Sequence, residues 1–173
     1  MIGCGKYGGG QRLRMFRGSY EAKVDEKGRF KLPAGFMKLI QQKQYGAEFF
    51  ITSFDGQMGE IWPLPEWEKK EAEWALIPDE SREKQRFLEQ VNFYGQQVEI
   101  DSQDRLLVPQ RLRARAGLVG EVDILGTGRF MKMANHQVMQ RRVEADAGQA
   151  ADALPVISMA DAMDFMAGRG KQD

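Results

Sequence analysis

The 173-residue chain has 25 acidic and 25 basic side chains, so no global charge announces a polyanionic partner. It is long enough for one compact domain or two small ones, and no apolar run reaches the roughly 18 residues of a membrane-spanning helix. Cys4 stands alone and can close no internal disulfide, in keeping with a reducing cytoplasm, and the Gly-rich start has no apolar signal-type core.

Residues 1–14 read as an N-terminal extension. From Ser19 to Val24, Tyr20, Ala22 and Val24 alternate with Ser19, Glu21 and Lys23, the period of a half-buried strand. Asp25-Glu26-Lys27-Gly28 puts Asp at the first and Gly at the fourth position of a type I turn. Continued through a left-handed residue, it makes a three-residue hairpin loop. Phe30 and Leu32 form the return strand; Pro33 ends it and suits the start of a helix, where its missing N–H costs nothing. Phe36, Leu39 and Ile40 give that helix an apolar face. Phe49–Thr52 and Gly59–Trp62 then flank Asp55-Gly56 as a second pair of strands. From Pro63 to Gln90 the sequence is charged and helix-rich, broken near Pro78-Asp79 with Ser81 as a cap. Its Trp67, Trp74, Leu76, Phe87 and Leu88 suggest a packed connector.

The same order then recurs. Val24–Phe36 set against Ile100–Leu112, at a constant offset of 76, pairs Asp25 with Asp101, Arg29 with Arg105 and Pro33 with Pro109. Val24, Phe30, Leu32 and Phe36 each meet an apolar residue. Val98 and Ile100 repeat the first strand, Leu112 and Ala116 supply the helix face with Gly117 as C-cap, and Glu121–Leu125 and Phe130–Met133 flank Gly126-Thr127-Gly128. Each copy reads strand–strand–helix–strand–strand. Domains below about 60 residues are marginal alone. The copies, residues 19–66 and 95–138, are therefore expected to pack as a pseudo-dimer with interleaved strands, joined by the helical connector 67–94. Residues 145–173, rich in Ala, Asp and Gly, read as a flexible tail with one short helix from Met159 to Met166.

Local charge says more than net charge. Arg12 to Lys43 holds nine Lys/Arg against three acids, and Arg105 to Arg115 holds four arginines and no acid. Two basic stretches in a neutral chain suggest either a localised anion-binding face or two solvated faces. The candidate DNA contacts are Arg17, Lys27, Arg29, Lys31 and Arg105, with Asp25, Gly28 and Asp101 shaping the turns. Arginine suits the role because its planar fork engages guanine bidentately, and glycine at a hairpin tip allows close approach to a groove. The alternative for Arg29 is an ion pair with Asp25 that locks the loop. Catalysis finds little support. His136, the only histidine, sits at a helix start and is expected to face solvent; with Cys4 it makes no usual zinc set, and no metal or cofactor is expected. Trp62, Trp67 and Trp74 read as connector core.

Met15-Phe16-Arg17-Gly18, the Asp25-x-x-Gly28-Arg29 turn, the segment Ile61-Trp62-Pro63-Leu64-Pro65-Glu66-Trp67 and the second Asp101-x-x-x-Arg105 together resemble the MraZ family of bacterial transcription factors, from about Met15 to about Val143. The resemblance implies a β-rich α+β fold. Two tandem AbrB-like swapped-hairpin β-barrel units would form a pseudo-dimer with a helical connector. It also implies ring-shaped homo-oligomers, no enzymatic activity and no cofactor. The implied target is promoter DNA upstream of a cell-division and cell-wall gene cluster, in the cytoplasm with the nucleoid. Identical hairpins around a ring would meet double-stranded DNA as short direct repeats about one helical turn apart. Asp104 stands where the first turn has Gly28. A left-handed conformation is harder for Asp, so the second turn is expected to be altered and Arg105 to contribute less than Arg29. Ala134-Asn135-His136-Gln137-Val138 stands where the first copy has Pro-Leu-Pro-Glu-Trp, with Asn135 as an N-cap. The rival from another class is an AbrB-like protein-interaction module, antitoxin or scaffold, gripping a partner through tail anchors such as Leu154, Ile157 and Phe165.

Overall fold

A computed structural model describes residues 14–149. Of the expected N-terminal extension only Arg14 is among them, and the tail helix lies outside them. The chain divides after His136, and the remainder of the last helix belongs to a second unit. The elements in order are β1 (Ser19–Val24), β2 (Arg29–Lys31), α1 (Ala34–Lys43), β3 (Glu48–Thr52), β4 (Gly59–Pro63), α2 (Leu64–Trp74), α3 (Arg82–Tyr94), β5 (Gln96–Glu99), β6 (Arg105–Leu107), α4 (Gln110–Ala116), β7 (Gly120–Gly126), β8 (Met131–Asn135) and α5 (His136–Gln149). The fold is a sheet-rich α+β arrangement with antiparallel pairing throughout the described strands.

β1 and β2 do not pair with each other as a hairpin. β1 joins β7, with Tyr20 opposite Ile124, and β2 joins β6, with Phe30 opposite Leu106. Six strands lie in one sheet in the order β1-β7-β8-β4-β3-β5, and β2 and β6 form a separate ribbon. That order reads the same from either end when β1 is exchanged with β5, β7 with β3, and β8 with β4. The ribbon shows the same exchange: Phe30 and Leu106, related by the offset of 76, face each other at its centre.

The expected barrel is not closed. β1 and β5 are the two edges of the sheet, and the ribbon is tied to it through the turns. The ribbon strands are short because Pro33 and Pro109, two residues past β2 and β6, turn the chain into helices α1 and α4.

The apolar register is also the core register. Val24, Phe30, Leu32, Phe36, Leu106, Val108 and Leu112 are each at most 3% exposed and share one cluster with residues of β3, β4, β7 and β8. Each such side chain contributes roughly 1.5–3 kcal/mol through burial. Pro33 and Pro109 stand at the N-caps of α1 and α4, and Gly117 ends α4 in the left-handed conformation, φ 63°. Phe16 forms a bridge with Gly128 and packs edge-on against Phe36 at 5.3 Å.

A second cluster holds the connector. Trp62 stacks on Phe130 at 4.0 Å, Trp67 stacks on Phe50 at 4.4 Å, and Trp74 and Phe87 close the group. Ser81 caps α3 by accepting the Lys84 N–H. Leu76, read from sequence as connector core, is 87% exposed instead, because it falls past the end of α2 where no cluster residue reaches it. Taken by itself, α5 continues through Gln149, so the segment expected to be tail begins helical.

Candidate nucleic-acid interface

The site is built from two turns and the ribbon between them. In the first turn, one Asp25 carboxylate oxygen accepts the backbone N–H groups of Lys27 and Arg29, both at 2.9 Å. In the second, Asp101 accepts those of Gln103 and Arg105, also at 2.9 Å. Each turn is closed by the same pair of backbone bonds, Asp25 to Arg29 and Gly28 to Asp25 in one, Asp101 to Arg105 and Asp104 to Asp101 in the other. Both carboxylates are held below their ordinary range. For Asp25 the Arg29 N–H is the main cause. For Asp101, desolvation is the largest influence and opposes the shift, but the N–H groups of Arg105 and Gln103 and the Arg105 guanidinium together outweigh it.

The expected alteration of the second turn does not occur. Asp104 adopts φ 59°, close to the left-handed region that Gly28 enters at φ 82°, and the hydrogen bonds match bond for bond. Asp is among the residue types that tolerate this region, and the carboxylate of Asp101 fixes the turn from within.

The turns feed a short antiparallel ribbon in which Arg29 faces Leu107, Phe30 faces Leu106 and Lys31 faces Arg105. Further bonds, Leu32 to Asp104 and Val108 to Gly28, extend it at both ends. Side chains alternate across a strand, and Phe30 and Leu106 point into the core. Arg29, Lys31, Arg105 and Leu107 therefore share the outer face. Lys31 and Arg105, like charges directly opposite each other, are an arrangement that destabilises a strand pair unless something else compensates.

The candidates separate in the structure. Lys27, Arg29, Lys31 and Arg105 come together on the ribbon and its first turn. Arg17 does not: it lies beyond the other end of β1, six strand residues or about 20 Å away, where its backbone crosses Gly126. The ion pair considered for Arg29 and Asp25 is also not formed: no Arg29 guanidinium nitrogen lies within 4.0 Å of the Asp25 carboxylate, one oxygen of which accepts backbone N–H groups. Arg105 does make one, its Nε 2.8 Å from Asp101.

Two features were missed in the sequence. Arg113 of α4 lies under the first turn, with Nε donating to the Val108 carbonyl at 3.0 Å. The signal was a paired departure between the copies: the offset of 76 puts Met37 opposite Arg113, just as it puts Asp104 opposite Gly28. His136, expected to face solvent, is half-buried with Nδ1 3.1 Å from both oxygens of the buried Asp123. Asn135 ends β8 and donates its carboxamide N–H to the Gly117 carbonyl.

Comparison with known proteins gives the lineage. Residues 15–90 match the family model described as "MraZ protein, putative antitoxin-like". A transcriptional regulator MraZ of Acidobacterium capsulatum is 48% identical over 138 residues, 80% of this chain and 94% of the relative. The Koribacter versatilis protein of the same name is 37% identical over 76% of this chain and 89% of its own length. A Leuconostoc citreum protein, also so named, is 33% identical over 66% of this chain and 76% of its own. With the doubled Asp-x-x-x-Arg turns and the tryptophan segment placed as described, the chain belongs to the MraZ family.

Proposed function

We propose that the protein is a DNA-binding transcriptional regulator and that the outer face of the β2–β6 ribbon, with the Lys27-Gly28-Arg29 turn, is its DNA-reading surface. The observation that carries this reading is the gathering of Arg29, Lys31 and Arg105 on one face of a two-stranded ribbon, with Lys31 and Arg105 directly opposed. A two-stranded β-ribbon fits the major groove, about 12 Å wide, and phosphates there relieve the repulsion. Relatives bearing the name of transcriptional regulator support it. The palindromic strand order and the cross-copy pairs β1–β7, β3–β5 and β2–β6 support reading residues 19–66 and 95–138 as two AbrB-like swapped-hairpin units fused into a pseudo-dimer. The assembled form is a homo-oligomeric ring acting on short direct repeats upstream of a cell-division and cell-wall gene cluster, its own gene included, in the cytoplasm and with the nucleoid.

The test is a mobility-shift assay with DNA from upstream of the protein's own gene. Arg29→Ala should weaken binding by about 1–3 kcal/mol, with melting nearly unchanged. Arg105→Ala should cost less, because Asp101 already engages that guanidinium. If Arg29→Ala shifts the fragment like wild type, the ribbon is not the reading surface.

A further inference from the structure

The two turns share a backbone but not their surroundings, and Arg113 makes the difference. Gly28 is buried although Asp25, Glu26 and Lys27 of the same turn are exposed. A Cβ at position 28 would collide with the guanidinium carbon of Arg113 and lie 2.6 Å from its Nε. The guanidinium thus fills the space a side chain at position 28 would take. It is also fixed: Nε donates to the Val108 carbonyl, and the Val108 N–H donates to the Gly28 carbonyl at 2.9 Å.

That anchoring engages one of the five guanidinium N–H groups. Among the described residues, no carboxylate lies within 4.0 Å of Arg113, and its other donors have no protein acceptor. Lys27 and Arg29 flank the glycine over it. Glu26 is the one acid of the turn besides Asp25, one of whose carboxylate oxygens is engaged by backbone N–H groups. At the equivalent place in the second turn, Met37 and Asp104 replace the cation and the glycine.

We propose that Arg113, with Lys27, forms a preorganised clamp for one phosphodiester of the nucleic-acid backbone at the first-turn end of the ribbon. This inference rests on the DNA-binding reading above. A guanidinium already held in place loses little conformational freedom on meeting a phosphate, and its planar fork suits two phosphate oxygens. Gly28 is required because any side chain there would displace the clamp. The second turn, with Asp104, repels a phosphate at the matching position, so the ribbon approaches the duplex in one polarity.

The experiment measures affinity of the full chain for the upstream fragment across a salt series. Arg113→Met copies the residue found at the equivalent site and removes the cation at similar volume. It should weaken binding on the order of tenfold and lower the slope of log affinity against log salt by about 0.9, one phosphate fewer. Arg113→Lys keeps the charge and should retain the wild-type slope while losing part of the affinity. An unchanged slope in Arg113→Met, with wild type binding normally, would show that Arg113 only braces the turn. A slope lowered equally by Arg113→Lys would also overturn the clamp, since charge is then not what is lost. If wild type itself fails to bind, the DNA-binding reading falls and the clamp with it.

Discussion

His136 meets Asp123 with one ring nitrogen 3.1 Å from both carboxylate oxygens, and the hydrogen bond to that carboxylate is the first cause of its raised pKa. The charge of Asp123 and the more distant Glu21 and Glu121 add to it, against desolvation. Lys23 is the cation that lines the same cavity. A histidine whose folded pKa lies above its ordinary 6.5 contributes stability fully below that ordinary value and loses it as pH rises through the folded one. The melting temperature of wild type should therefore fall relative to that of His136→Gln as pH is raised from about 6 to 8. A gap between the two proteins that stays constant over this window would show that the pair does not titrate as described. Neither partner was readable as such: Asp123 sits in a strand pattern and His136 at a helix start, and only the pairing of β7 with β8 brings them together.

At the scale of elements, local pattern was legible and pairing was not. Alternation in β1 and the Asp-x-x-x-Arg turns follow from residue chemistry within ten residues, so the sequence locates them. That β2 pairs with β6 depends on closure of two copies upon each other, a long-range choice to which short apolar strands are indifferent. The same limit explains Leu76, which has a core residue's composition but no partner within reach of the end of α2. The connector makes a sharp contrast available. Trp67 is 3% exposed and sits among Phe50, Phe54, Trp62 and Trp74, so Trp67→Ala should cost about 3–5 kcal/mol in denaturant unfolding. Leu76→Ser should stay within about 0.5 kcal/mol. Equal losses in the two variants would mean that the aromatic cluster does not organise the connector.

On the scale of the whole molecule, the candidate interface is small. One ribbon presents Arg29, Lys31 and Arg105, with Lys27 at its turn and Arg113 beneath, too few cations for tight binding at physiological salt. In the proposed ring, affinity comes from several ribbons on one duplex, each later contact being effectively intramolecular. The sheet ends in two edge strands, β1 and β5, and heterologous contacts in a closed ring would cover such edges while setting identical ribbons along one rim. The copies within a chain are related by a pseudo-twofold exchange, which alone would favour inverted elements. Yet Gly28 against Asp104, Lys31 against Leu107 and Arg113 against Met37 break that symmetry, so successive subunits should meet DNA in the same direction. The proposed operator is accordingly an array of direct repeats spaced by about one helical turn, roughly 10 bp. Inserting about 5 bp between two repeats turns one element to the opposite face of the duplex and should sharply reduce affinity, whereas inserting about 10 bp restores the face and should cost less. Light scattering should show more than a dimer at micromolar concentration. A monomer that binds one repeat as tightly as the array, with no dependence on spacing, would replace the ring with a single-chain, two-lobed DNA binder.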